Sequence, residues 1–353
     1  MGVSQKEKIF FTEHLSLMIK GGIPITEALE TLTEEAKSGT LRKILRDVLK
    51  RILEGERLEK SFAKYPKFFD RFFLSVIRVG EKSGTLDANL KYLSLQLRKD
   101  YEMRKKIMGA LFYPILVLSL AIVIILLIVY FVLPKLIPVF QSLQAMGVVS
   151  QLPLATKILL NLGNFLKKYG FFIPIIIVIL ILFIRILQKI KIIKFYFDKT
   201  SLSFPFFGQT LKDLNLARFS RNFYTLLKSG MPILEALEIC ADVLPNEVYK
   251  KDLISVKAEV ERGGKISSGL KKIPQRFPPL FSEMILVGER TGSLEESSLY
   301  LSQFYTREAD STLKNISELI GPILLIFLGI LVVFIALATI IPIFRFVGEI
   351  RVH

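Results

Sequence analysis

The nine residues GIPITEALE at positions 22–30 return as GMPILEALE at positions 230–238, with seven of the nine identical. The same offset of 208 residues aligns VGEKSGTL at 79–86 with VGERTGSL at 287–294, where five of eight residues are identical and the others are conservative. Single positions also repeat at this offset: Gly55 with Gly263, Pro66 with Pro274, Phe69 with Phe277, Pro114 with Pro322, and Pro134 with Pro342. Matches in register along so much of the chain indicate a duplicated unit.

Each copy is predicted to be a helical bundle. Apolar residues at 25, 28, 29 and 32 follow the i, i+3, i+4, i+7 spacing of an amphipathic helix, and residues 41–52 repeat the pattern. Gly22 is expected to end one helix and Pro24 to open the next. No stretch alternates in the manner of a strand. We therefore predict two homologous antiparallel bundles of about six helices each.

Long uncharged runs follow both copies. Residues 111–133 and 319–344 carry no charge over 23 and 26 residues, and about 20 residues cross a bilayer. Pro114 and Pro322 fall near the starts of these runs, where we expect ordinary helix beginnings. A third uncharged run, residues 169–184, has only 16 residues and spans only if flanking Lys and Arg snorkel outward.

The fold class is therefore an all-α membrane protein with three transmembrane helices and two cytoplasmic domains. The middle span follows from the duplication, because a copied domain with one span would otherwise end on the opposite face. Basic clusters before the first span and after the second favour a cytoplasmic side for both, and no signal peptide precedes the first domain. The predicted boundaries are domain 1–108, span 109–134, extracytoplasmic loop 135–167, span 168–190, domain 191–316, span 317–344 and extracytoplasmic tail 345–353.

Two glycine-bounded motifs supply the candidate site residues. A glycine at 84 can adopt the left-handed conformation that stops a helix, so a turn explains much of the second motif. It does not explain Glu81 or Glu289, which either shape the corner or face a partner or a cation. The candidate partner-binding residues are Gly80, Glu81, Gly84, Leu86, Gly288, Glu289, Gly292, Leu294, Gly22, Pro24, Gly230 and Pro232.

Chemistry-bearing patterns are missing from the sequence. Its one Gly-Lys pair, Gly264-Lys265, has neither the glycine nor the hydroxyl of a phosphate-binding loop. His14 and His353 have no companions at ligand spacing, and Cys240 sits in an apolar helical stripe where a packing role is expected. We expect no enzyme activity, cofactor or metal. The net charge of +16 is interpreted as cytoplasmic sidedness and contact with anionic lipid, not as nucleic-acid binding.

The paired motifs and the three-span layout resemble the type II secretion F and type IV pilus PilC family of inner-membrane platform proteins. The resemblance implies an assembly platform that engages a cytoplasmic hexameric motor ATPase, pilin or pseudopilin subunits and other inner-membrane assembly proteins. We expect a homo-oligomer, although the sequence does not define its oligomeric state. The first predicted helix begins almost at once, without the longer leading segment of many relatives. Two other classes stay open: a membrane carrier or channel, which the absence of charged residues from the span centres disfavours, and a scaffold for other cytoplasmic complexes.

Overall fold

The computed structural model describes residues 3–132, 172–187, 190–204 and 207–350, with a few isolated positions between 134 and 169. These residues form helices and the turns between them, without strands. Most of the predicted loop 135–167 and residues 351–353 of the predicted tail lie outside the described residues. Residues 1–107 and 191–312 form one compact unit, and residues 108–190 and 313–353 are assigned to a second.

The first repeat begins with five helices connected by short turns. They are α1 (Gln5–Lys20), α2 (Ile25–Glu35), α3 (Gly39–Leu53), α4 (Leu58–Ala63) and α5 (Arg71–Ser83). A sixth helix, α6, runs from Leu86 to Leu127 and is followed by a π-helical turn, Ile128–Val132.

The second repeat reproduces this order. Helix α7 (Phe172–Leu187) precedes it, followed by α8 (Lys191–Leu202), α9 (Phe207–Lys228), α10 (Ile233–Val243), α11 (Glu247–Glu261), α12 (Ile266–Lys271) and α13 (Pro279–Thr291). The last helix, α14, extends from Leu294 to Ile350. Helices α9 to α14 thus correspond in order to α1 to α6.

Short polar side chains fix where the helices begin. Ser4 and Glu7 form a capping box at α1, in which each side chain accepts the backbone N–H of the other residue, at 3.2 and 2.9 Å. The Asp70 side chain accepts the Phe73 N–H at the start of α5, and the Asn246 side chain does the same for the first amides of α11. These caps satisfy N–H groups that have no partner within their own helix.

An aromatic cluster fills the centre of each repeat. Phe11, Phe69 and Phe73 are almost fully buried in the first repeat, where Phe69 lies 4.7 Å from Phe73 between ring centroids. Their counterparts at the 208-residue offset, Phe219, Phe277 and Phe281, are also buried, with Phe277 and Phe281 5.4 Å apart. Rings at these separations pack favourably beyond the effect of their buried area. Cys240 lies in the second core, fully buried, where burial raises the pKa of its thiol.

Among the residues that the structure describes, two helices are long and apolar enough to cross a membrane. They are α6, with a mean hydropathy of 2.9 in its most apolar window, and the Leu294–Phe334 part of α14, with 2.6. Both carry outward apolar side chains such as Phe112 and Leu325, each 68% exposed. Within the predicted middle span 168–190, the structure describes the apolar helix α7, Phe172–Leu187.

Pro114 corrects one expectation. It does not begin a helix but lies inside α6, and Pro322 likewise lies inside α14. A proline in a helix interior removes one i to i−4 hydrogen bond. The predicted helix starts were wrong because the amphipathic pattern after Leu86 continues without a break into the apolar run, so one helix covers both.

Candidate functional site

The first motif forms the same turn in both repeats. Gly22 and Gly230 have positive φ angles of 82° and 85°, and the next residue in each case donates its N–H to a carbonyl of the preceding helix at 3.0 Å. Pro24 and Pro232 then stand at the N-caps of α2 and α10. Since glycine populates positive φ at little cost and proline fixes φ near the value observed, each residue type suits its position.

The second motif joins two helices at a tight corner. Gly84 and Gly292 both have φ of 70° and end α5 and α13 in the left-handed conformation. Gly80 and Gly288 serve a different purpose, because an added Cβ would lie 2.9 Å from the Leu86 Cα in one repeat and 3.0 Å from the Leu294 Cα in the other. The first glycine of the motif therefore permits close approach of helices, and the second permits the turn.

The carboxylates of Glu81 and Glu289 have a defined use within the repeats. Glu81 accepts the backbone N–H groups of Leu58 and Glu59, at 3.0 and 3.5 Å, at the start of the short helix α4. Glu289 accepts the N–H groups of Ile266 and Ser267, at 2.6 and 3.2 Å, at the start of α12 and also receives the Ser267 hydroxyl. A carboxylate on unpaired amides at a helix N-terminus is a favourable arrangement. Contact of either Glu with a partner stays a prediction.

Motif residues of the second repeat meet at one cleft of about 550 Å³. Its lining includes Gly230 from the first motif together with Gly288, Glu289, Gly292 and Leu294 from the second. Pro232, at the α10 N-cap, lies in sequence between the lining residues Met231 and Ile233. The two motifs are thus neighbours in space although nearly 60 residues separate them in sequence. In the first repeat, Gly22, Pro24, Gly80 and Gly84 occupy the matching backbone positions, the Glu81 side chain makes the matching hydrogen bonds, and Leu86 likewise begins the long helix.

Charged side chains at the cleft are partly paired. Lys265 and Glu295 also line it, and Glu295 forms an ion pair of 3.5 Å with Lys228. The Glu295 carboxylate raises the pKa of the Lys228 ammonium. No group of three or more His, Cys, Asp or Glu that could hold a metal occurs among the residues that the structure describes. The cleft lining thus combines charged side chains with apolar ones.

The sequence did not reveal how the two repeats contact each other. Arg71 of α5 pairs with Glu238, at 2.6 Å, and with Asp242 of α10, while Arg78 pairs with Glu235 of the same helix. A second contact joins α6 to α9, where the Gln96 amide donates to Asn222 at 2.6 Å and Arg221 donates to Asp100 at 2.7 Å. The contact could have been suspected only from differences between the repeats in sequence. Pro279 and Leu286 stand where Arg71 and Arg78 would be expected at the 208-residue offset.

The class of protein follows from these features: a tandem-repeat helical protein with a long apolar helix at the end of each repeat. Comparison with known families narrows the class. The family model of type II secretion system protein F matches the chain twice, over residues 11–134 and 219–342. The two matches are offset by the same 208 residues as the motifs. The chain belongs to the type II secretion system protein F family.

Curated relatives match along nearly the whole chain. A type IV pilus assembly protein PilC of Thermus thermophilus is 31% identical over 359 residues, covering 100% of this chain and 85% of the relative. A PilC of Myxococcus xanthus is 29% identical and covers 99% and 82%. A type II secretion system protein F of Vibrio cholerae is 29% identical, with 97% and 83% covered. The chain is thus similar to proteins of both machines.

Proposed function

We propose that this protein is a non-enzymatic assembly platform in the inner membrane, serving a type IV pilus or a type II secretion machine. In this role it couples a cytoplasmic motor ATPase to the extraction of pilin or pseudopilin subunits from the bilayer and to filament assembly. The observation that carries the proposal is the double, in-register family match together with relatives named for pilus assembly and type II secretion.

The architecture supports a mechanical role. Helices α6 and α14 each start at the glycine corner of a repeat and continue without interruption into an apolar stretch. A continuous helix is a stiff element, so a movement of the repeat at Leu86 or Leu294 is transmitted along it. The repeats contact each other through α5 and α10 and through α6 and α9, so a motor acting on one repeat also moves the other.

The proposal includes a topology. Domains 1–108 and 191–316 lie in the cytoplasm, spans 109–134, 168–190 and 317–344 cross the membrane, and segments 135–167 and 345–353 lie outside. Duplication supports this arrangement because the short middle span returns the second domain to the side of the first. Single cysteines placed at Ser142, Ser203 and His353 in a Cys240→Ser background test it. An impermeant thiol reagent added outside intact cells should label the first and third but not the second, and the reverse pattern would refute it.

Deletion and complementation test the function. In a host that carries the matching pilus or secretion genes, loss of this chain should abolish filaments or secretion while motor and pilin levels stay normal. The purified full-length chain in lipid nanodiscs should also bind the purified motor. Normal filaments and secretion without the chain would overturn the proposal.

Two rival functions predict different results. A carrier or channel should pass solutes across liposomes that contain this chain alone, with no motor or pilin. If the chain is a scaffold for other cytoplasmic complexes, its deletion should leave filament assembly intact. Solute flux through the chain at its wild-type abundance, together with normal filaments after its deletion, would favour a carrier or channel.

A further inference from the structure

One acidic face has a partner in the second repeat but lacks one in the first. On α10, Glu235, Glu238 and Asp242 lie along one side of the helix and all three bind arginines of α5. Their counterparts at the 208-residue offset are Glu27, Glu30 and Glu34 on α2. These occupy the same i, i+3, i+7 positions, so they also share one helix face.

The α2 carboxylates are exposed and form no ion pair with any described residue. Two differences between the repeats explain this. Inside the second repeat, Lys257 also holds Glu238 at 2.7 Å, whereas the counterpart of Lys257 is Leu49. Across the contact, the residues that correspond to Arg71 and Arg78 are Pro279 and Leu286, which carry no charge. The two repeats thus share the acidic residues of this helix but differ in the basic residues that face them.

Helix α1, which packs against α2, also differs from its counterpart in the second repeat. In the second repeat its counterpart, α9, packs on α6 through Asn222 and Arg221, beside the α10 contact. In the first repeat the positions matching Arg218 and Thr225 are Phe10 and Leu17, which are 45% and 60% exposed. Phe10, whose ring stacks on His14 at 3.8 Å between centroids, and Leu17 are thus exposed on the helix that precedes α2.

We propose that the acidic face of α2, formed by Glu27, Glu30 and Glu34, docks a basic helix of the motor ATPase. The proposal rests on the proposed function, which supplies the motor. The contact between α5 and α10 indicates the required chemistry: two basic side chains seven residues apart, about 10.5 Å along a helix, opposite carboxylates with the same spacing. Arg78 meets Glu235 and Arg71 meets Asp242, so the docked helix runs antiparallel to α2.

Charge reversal on α2 tests the proposal. The double variant Glu30→Lys/Glu34→Lys is compared with Glu54→Lys/Glu296→Lys, which changes the net charge equally at exposed carboxylates elsewhere. Full-length proteins in nanodiscs of zwitterionic lipid are titrated with the purified motor at 50 and 500 mM NaCl. We expect the α2 variant to bind at least ten-fold more weakly at low salt, the control variant to bind like wild type, and the difference to shrink at high salt.

The outcomes separate the two proposals. If wild type and both variants bind the motor equally, the α2 face is not the docking site, while the platform function stands. If wild type does not bind the motor at all, both proposals fail. If motor binding is unchanged but sedimentation shows that only the α2 variant loses self-association, the occupant is a second copy and the proposal is wrong.

A neutral variant guards against misfolding. Glu27→Gln/Glu30→Gln/Glu34→Gln removes the charges without reversing them and should weaken motor binding with an unchanged circular dichroism spectrum. Because all three side chains are exposed, the substitutions leave the core untouched. Full binding by this folded variant would overturn the electrostatic basis of the proposal.

Discussion

The carboxylate of Glu289 offers the sharpest test of what the glycine-bounded motif does. It accepts two backbone N–H groups of α12, from Ile266 at 2.6 Å and Ser267 at 3.2 Å. Substituting Glu289→Ala removes these bonds and leaves the first turn of α12 without its cap. A hydrogen bond to a charged group contributes about 1.5–3 kcal/mol, and loss of a helix cap costs about 0.5–2 kcal/mol.

The two estimates describe the same atoms and overlap, so they are not added. Because the Glu289 side chain is only half-buried, water can replace part of the lost bonding, and we expect α12 to be destabilised by about 2 kcal/mol. Local opening becomes about 30-fold more frequent at this cost, since 1.4 kcal/mol corresponds to ten-fold. Glu289→Gln keeps an acceptor oxygen without the charge and should show a smaller effect.

Hydrogen exchange followed by mass spectrometry measures this on the full-length protein. Peptides covering 264–272 should exchange about 30-fold faster in Glu289→Ala. Glu283→Ala is the matched control, because Glu283 lies on the same helix and pairs with Lys271 of α12 at 2.7 Å, but through an exposed ion pair that contributes little. Unchanged exchange in Glu289→Ala, combined with lost motor binding, would refute the capping role and favour a partner contact.

Three further predictions follow from other contacts. Gly288→Ala should lower the free energy of unfolding by about 1–3 kcal/mol, as expected for overpacking, because the new Cβ would lie 3.0 Å from the Leu294 Cα. The denaturant midpoint of the variant measures this loss of stability, and a midpoint equal to that of wild type would contradict the prediction. Arg71→Glu sets a carboxylate against Glu238 and should loosen the contact between repeats, giving faster limited proteolysis at low salt than at high salt; equal rates would show that the ion pairs do not hold the repeats together. Burial raises the pKa of Asp213 to about 6 from its ordinary 3.8, so its contribution to stability is present below pH 3.8 and is lost as pH rises through 6. Asp213→Asn should therefore be more stable than wild type at pH 8 by up to about 3 kcal/mol, and the two proteins should have similar stability at pH 4. Thermal unfolding at both pH values measures this, and an equal stability difference at pH 4 and pH 8 would contradict the prediction.

Much of the local structure could be predicted because it depends on residue type and spacing. Gly84 was expected to allow a left-handed turn, and both Gly84 and its counterpart Gly292 have φ of 70°. The burial of Cys240 was expected from its apolar stripe and is confirmed. The prediction that a helix starts at Pro114 was wrong. A proline near an apolar boundary looks the same in sequence whether it opens a helix or lies inside one.

The site was predictable only in part. The sequence identified Glu289 as unexplained by a turn, but the amides that donate to it lie 22 and 23 residues earlier on another helix. That pairing depends on how α12 and α13 pack, which no local pattern encodes. The same holds for the cleft, whose walls come from the ends of helices that are distant in sequence.

By itself the sequence determined that this protein is a duplicated helical unit with apolar helices, because periodicity, turn residues and the 208-residue offset are properties of the chain. Only the tertiary structure decided which copies of a shared feature are used. Glu238 and Glu30 are identical in type and in position within the repeat, yet one binds Arg71 and the other faces outward. The physical reason is that an ion pair needs both partners at hydrogen-bond distance, and the packing of α5 on α10 brings that partner to the second repeat alone.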